Sequence, residues 1–120
     1  MRVLIVDDSK VMRMIIVRSL RQAGLGAIDV GEAEDGAAGL SAVSGFVPDL
    51  IVSDWNMPTM SGMQFLAALR ATGDQTPFGF ITSESHPAIK EQALAAGAQF
   101  LLTKPFSAEQ FADIVGAVVG

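Results

Sequence analysis

Five short apolar runs recur along this chain, and a segment with helical punctuation follows each one. The runs are Val3–Val6, Ala27–Val30, Asp49–Ser53, Phe78–Thr82 and Phe100–Thr103. Three of them are apolar at nearly every position instead of alternating, as strands read when helices cover both faces of a parallel sheet. Hydrophobic residues make up 50% of the 120, a share that suits elements buried on two sides. The first helix is expected from Asp8-Ser9, a good N-capping pair, to just before Gly24. On a helical wheel Met12, Ile15, Ile16, Leu20 and Ala23 share a face, while Lys10, Arg13 and Arg21 point away. Further helices are expected from near Asp35 to Gly45, from Ser61 to near Gly73, and from His86-Pro87 to Gly97. The last starts at Ser107, with Gln110 three residues on for a capping box. A strand followed by a helix, five times over, predicts an open, doubly wound α/β sheet in one domain.

Several function classes fall away. No stretch approaches the ~20 apolar residues of a membrane span; Met14–Val17, for example, is closed by arginines on both sides. Met1-Arg2 leads directly into an apolar strand and two aspartates, unlike a signal peptide. The absence of cysteine removes disulfides, thiol catalysis and cysteine zinc sites. The single histidine, His86, allows no histidine metal cluster and reads as a helix-start residue. Eight Lys and Arg against thirteen Asp and Glu give a net charge of −5, which argues against nucleic-acid binding. The chemistry must come from carboxylates, hydroxyls and lysine.

In an open α/β sheet, ligands bind at the carboxyl ends of the strands. Those ends carry Asp7 and Asp8, then Asp54 within Asp54-Trp55-Asn56-Met57-Pro58, then Thr82 and Ser83, then Lys104 before Pro105-Phe106. Singly, each has a plain structural reading as a cap, a turn or a solvated charge. Together, three neighbouring carboxylates repel and raise one another's pKa. A divalent cation and the lysine would balance them, and a hard cation with oxygen ligands is Mg²⁺ or Mn²⁺. No glycine-rich phosphate loop follows the first strand. The negative group to be held is therefore expected to be a phosphoryl on a side chain, not a nucleotide.

With these residues in this order and spacing, the chain resembles the receiver domain of two-component response regulators, most closely its single-domain chemotaxis members. The resemblance rests on Asp7-Asp8-Ser9, Asp54-Trp55-Asn56-Met57-Pro58 with Met60 and Gly62, Thr82, and Lys104-Pro105-Phe106. It implies a flavodoxin-like (βα)5 fold with strand order 2-1-3-4-5, over residues 1–120 and without an output domain. It implies that Asp54 is the phosphoacceptor. Asp8, Asp54 and the Asn56 backbone carbonyl would bind Mg²⁺ directly, and Asp7 through water. Lys104, the Thr82 hydroxyl and the Ser83 amide would hold the phosphoryl group. Asn56 and Glu84 would tune its hydrolysis, and the Lys104–Pro105 bond would be cis. The partners implied are a histidine kinase or histidine phosphotransfer protein, and a target on the fourth helix, fifth strand and fifth helix. A cytoplasmic monomer or weak dimer is expected, touching neither nucleic acid nor membrane.

One position departs from the pattern. Where the family carries a switch aromatic, three residues before the lysine, this chain has Leu101. Phe100 should face the opposite side of the strand and sit in the core. Arg13, Met14 and Val17 on the first helix are candidates for docking the phosphodonor. Two rival readings remain open: a degenerate receiver acting as a constitutive adaptor, and a phosphatase of the haloacid dehalogenase type. The second needs an acid two residues after the nucleophile, where this chain has Asn56.

Overall fold

The near-continuous apolar runs become the inner strands of a five-stranded parallel sheet. The computed structural model describes residues 1–119. Its elements alternate as β1 (Arg2–Val6), α1 (Lys10–Gln22), β2 (Asp29–Ala33), α2 (Gly36–Phe46) and β3 (Leu50–Asp54). They continue as α3 (Gly62–Ala71), β4 (Phe78–Thr82), α4 (Pro87–Ala95), β5 (Phe100–Thr103) and α5 (Ala108–Val119). The strand order is β2-β1-β3-β4-β5, all parallel, so the expected fold class and order are observed.

Successive strand side chains point to opposite faces, and the core divides accordingly. Leu4, Val6, Ile51, Phe78 and Phe80 pack with Val43 of α2, Phe65, Leu66 and Leu69 of α3, and Ala93 of α4. Val3, Ile5, Leu50, Val52, Ile81 and Phe100 pack with Ile16 and Leu20 of α1 and Phe111 and Val115 of α5. Each of these large apolar side chains contributes roughly 1.5–3 kcal/mol by leaving water. Phe100 is in the core, on the opposite face from Leu101. Its ring lies over Gly79, its register partner, where a Cβ would overlap the ring atoms.

Caps follow the sequence closely. Ser9 accepts from Met12 N, Asp35 from Ala38 N, and the His86 ring from Ala88 N. Ser107 and Gln110 form the expected capping box, and Ser61 and Gln64 form another.

Four expectations need correction. The second strand is Asp29–Ala33, not Ala27–Val30. As an edge strand paired only with β1 it buries few side chains, so apolar density does not mark it. The third strand extends to Asp54, which is its last residue. Helix α1 is slightly rotated: Met12, Ile16 and Leu20 face the core as expected, but Arg13, Val17 and Ser19 join them, and Ile15 is 44% exposed. Residues 11 to 17 are apolar at every position but Arg13, so hydrophobicity could not fix the rotation; the partners of Arg13, described below, do. Finally, α2 continues past Gly45 to Phe46 and closes on Val47 in the left-handed region, at φ 51°.

A β-branched residue at positive φ is strained, and Val47 is 66% exposed, so little packing offsets the cost. Val47→Asn should therefore stabilise the fold by about 1 kcal/mol. Thermal melting should show a rise of several degrees; an unchanged or lower midpoint would mean that Val47 packs better than its exposure indicates.

Candidate functional site

Parallel strands deliver their last residues to one edge, and β1, β3, β4 and β5 deliver the candidate residues there. Asp7 and Asp8 follow β1, Asp54 ends β3, Thr82 ends β4 and Lys104 follows β5. One carboxylate oxygen from each of Asp7, Asp8 and Asp54 lies within 4.8 Å of the others. Lys104 Nζ lies 3.5 Å from Asp54 Oδ1 and 4.0 Å from Asp7 Oδ2.

The three acids differ in surroundings. Asp7 is 1% exposed and Asp8 is open to solvent. Asp7 Oδ1 accepts from Ser9 N at 2.8 Å, whereas its Oδ2 is buried with no hydrogen-bond partner. Burial pushes the Asp7 carboxyl up to about 6; the bond from Ser9 N opposes this, and Asp54 adds to it. Asp54 is also raised by burial, against the pull of Lys104 and the bond from Trp55 N to its Oδ1 at 2.8 Å. An orphaned buried oxygen beside two further carboxylates, in an all-oxygen donor set, fits a hard divalent cation. These three residues could hold one.

The surrounding loops are fixed by close packing. Gly62 N donates to Trp55 O at 3.0 Å, and a Cβ on Gly62 would strike the Asp54 carbonyl and the Phe80 ring. Only glycine lets α3 start against the end of β3. Trp55 meets Phe80 edge to face at 4.9 Å. Thr82 is buried, and its hydroxyl oxygen accepts from Glu84 N at 3.0 Å. Asn56, Ser83 and Glu84 are exposed at the same edge. The Lys104–Pro105 bond is cis. Leu101 is half-buried against the α2–α4 side of the core.

The docking candidates do not form one surface. Met14 is 56% exposed, but Val17 packs partly into the core. Arg13 is buried, because its guanidinium donates to the Asp7 carbonyl and to Glu32. No local signal in the sequence marks this contact: Arg13 lies six residues after Asp7, and Glu32 sits past the apolar run that suggests the second strand.

The class of protein defined here is a five-stranded parallel α/β fold with an acidic cluster and a lysine at its carboxyl edge. The comparisons make this specific. The response regulator receiver domain family matches residues 3–116. The chain is 35% identical to a probable chemotaxis protein CheY of Rhizobium etli, over 99% of this chain and 92% of that one. It is 40% identical to a probable transcriptional regulatory protein NarL of Mycobacterium tuberculosis, over 86% of this chain but only 47% of that one. The solved structure of chemotaxis protein CheY4 of Vibrio cholerae has a TM-score of 0.86 at 35% identity, covering 98% of this chain and 97% of that one. The chain belongs to the response regulator receiver family. Such domains are signalling parts of two-component systems and not classical enzymes, so the phosphatase reading falls. Among the described residues no helix is long and apolar enough to cross a membrane.

The raised Asp7 carboxyl sets a sign for stability. Between the ordinary value near 3.8 and about 6, the folded chain holds a proton that the unfolded chain has released. Stability attributable to this group therefore falls as pH climbs through that window. In chelator-treated protein, Asp7→Asn should melt several degrees above wild type at pH 7.5 and converge with it near pH 4. Equal melting temperatures at both pH values would show that Asp7 carries no such penalty.

Proposed function

We propose that this receiver accepts a phosphoryl group on Asp54 from a phosphohistidine of a histidine kinase or histidine phosphotransfer protein. The observation that carries this reading is the Asp54 carboxylate at the end of β3, within reach of Lys104 and of the acidic pair after β1. An Asp54 oxygen attacks phosphorus, the P–N bond breaks, and the imidazole leaves with the electron pair. Little covalent chemistry is asked of the protein beyond positioning and charge stabilisation.

Asp8 and Asp54, with the Asn56 backbone carbonyl, would hold Mg²⁺ (or Mn²⁺) directly, and Asp7 through water. The bound ion would supply positive charge against the transferred phosphoryl oxygens. Lys104 balances the remaining charge and meets the phosphoryl group on its other side. The Ser83 amide offers a further donor. Asn56 and Glu84, exposed at the rim, are proposed to set how readily water reaches the acyl phosphate.

Thr82 links the chemistry to a surface. Its oxygen already accepts from Glu84 N, which leaves the hydroxyl hydrogen free to donate. A phosphoryl group on Asp54 adds charge, draws that hydroxyl and so moves the loop leading into α4. The proposed output is a changed protein-binding face of α4, β5 and α5, with Leu101 at the switch position. An aliphatic side chain there has no ring to rotate, so the readout rests more on the Thr82 loop than on β5. Chemotaxis is the pathway in keeping with the Rhizobium etli relative, and a cytoplasmic location goes with that role.

The test is incubation with Mg²⁺ and acetyl phosphate, followed by intact mass. One labile phosphoryl adduct is expected, absent in Asp54→Asn and in chelator. Lys104→Ala should lose most of it. No adduct on wild type would leave a constitutive adaptor instead. With a partner in hand, Leu101→Tyr should alter affinity for the phosphorylated form only if β5 shares in the readout.

A further inference from the structure

One buried charge has no part in the phosphoryl chemistry above. Arg13, on α1, is 9% exposed. A guanidinium taken out of water persists only with partners, and both partners of Arg13 belong to the framework of the acidic edge. Its Nη1 donates to the Asp7 carbonyl oxygen at 2.6 Å, and its Nε to Glu32 Oε1 on β2 at 2.8 Å. Both bonds are charge-assisted.

The Asp7 carbonyl belongs to the peptide group that joins the Cα atoms of Asp7 and Asp8. That group is planar, so pinning its oxygen fixes the orientation of the plane at both ends. The directions in which the two carboxylates leave the backbone follow. The same turn is held by Asp7 N donating to Ala33 O at 3.1 Å and by Ser9 N on Asp7 Oδ1. Ala33 and Glu32 are neighbours on β2, so the turn is tied to that edge strand twice, once through its own amide and once through Arg13.

We propose that Arg13 is a positioning residue for the divalent-cation site, aiming Asp7 and Asp8 through their shared peptide group, with Glu32 as its anchor. The inference rests on reading Asp7, Asp8 and Asp54 as that site. Charge and geometry make opposite demands here. A guanidinium near the carboxylates opposes a cation, so electrostatics alone would have its removal tighten binding. Positioning has its removal weaken binding.

The experiment is titration of the whole chain with Mg²⁺ and with Mn²⁺, read by Trp55 fluorescence, since Trp55 N bonds Asp54 directly. Melting temperatures are recorded alongside. Arg13→Met should weaken cation affinity about tenfold or more, as loss of a residue orienting a metal ligand does. Arg13→Lys should weaken it nearly as much, because an ammonium cannot fork between the carbonyl and Glu32. Glu32→Ala, at a half-exposed position that should fold normally, should weaken it measurably but less than Arg13→Met, since the bond to the Asp7 carbonyl remains. A merely structural role would lower the melting temperature and leave the dissociation constant of the folded protein unchanged. Affinity that is unchanged or tighter in folded Arg13→Met overturns the proposal. If that variant does not fold, Glu32→Ala decides, and wild-type affinity there overturns it. Wild-type protein that responds to neither cation overturns this proposal and the reading of the site together; a responsive wild type with unaltered variants overturns this proposal alone.

Discussion

A carboxylate almost wholly removed from water has to be answered by a proton or by positive charge. Asp7 sets that condition, with one oxygen satisfied by Ser9 N and the other left without a partner. Desolvation, not crowding, is the larger cause of its raised pKa. Lys104 answers it only in part, at 4.0 Å from Asp7 and nearer to Asp54. The edge is thus built around a deficit of positive charge, surroundings that fit a hard divalent cation.

The fold assembles this edge from elements far apart in sequence. Parallel strands all end on the same side, so one topological rule brings residues 7, 8, 54, 82 and 104 together without any long loop. The backbone then fixes what topology only approximates. Gly62 lets α3 close against Asp54, Trp55 braces the loop on Phe80, and Lys104 N bonds Thr82 O at 2.7 Å between the two loops. The last contact ties the lysine loop to the hydroxyl loop, so the two should not move independently.

Much of this was legible in sequence. Inner strands showed because burial on both faces leaves an unbroken apolar run. The residues of the acidic edge showed because strand ends are where such sheets carry chemistry. The edge strand β2 showed only in part, placed at Ala27–Val30 instead of Asp29–Ala33, since Gly31 and Glu32 face demands weaker than those on a central strand. The rotation of α1 did not show. Its apolar residues are too nearly continuous to choose a face, and what chooses is the tertiary pairing of Arg13 with Asp7 and Glu32. The left-handed close at Val47, two residues past Gly45, broke the expectation that glycine ends a helix.

The packing of Phe100 over Gly79 has a consequence for how such a chain can change over time. The two positions share one space: a hydrogen on β4 makes room for a ring on β5. Neither can be altered freely while the other stays fixed. Enlarging residue 79 first expels the ring, and shrinking residue 100 first opens a void, so each single step passes through a poorer protein. Chains descended from this one are therefore constrained to exchange volume between the two strands, inheriting residues 79 and 100 as a pair.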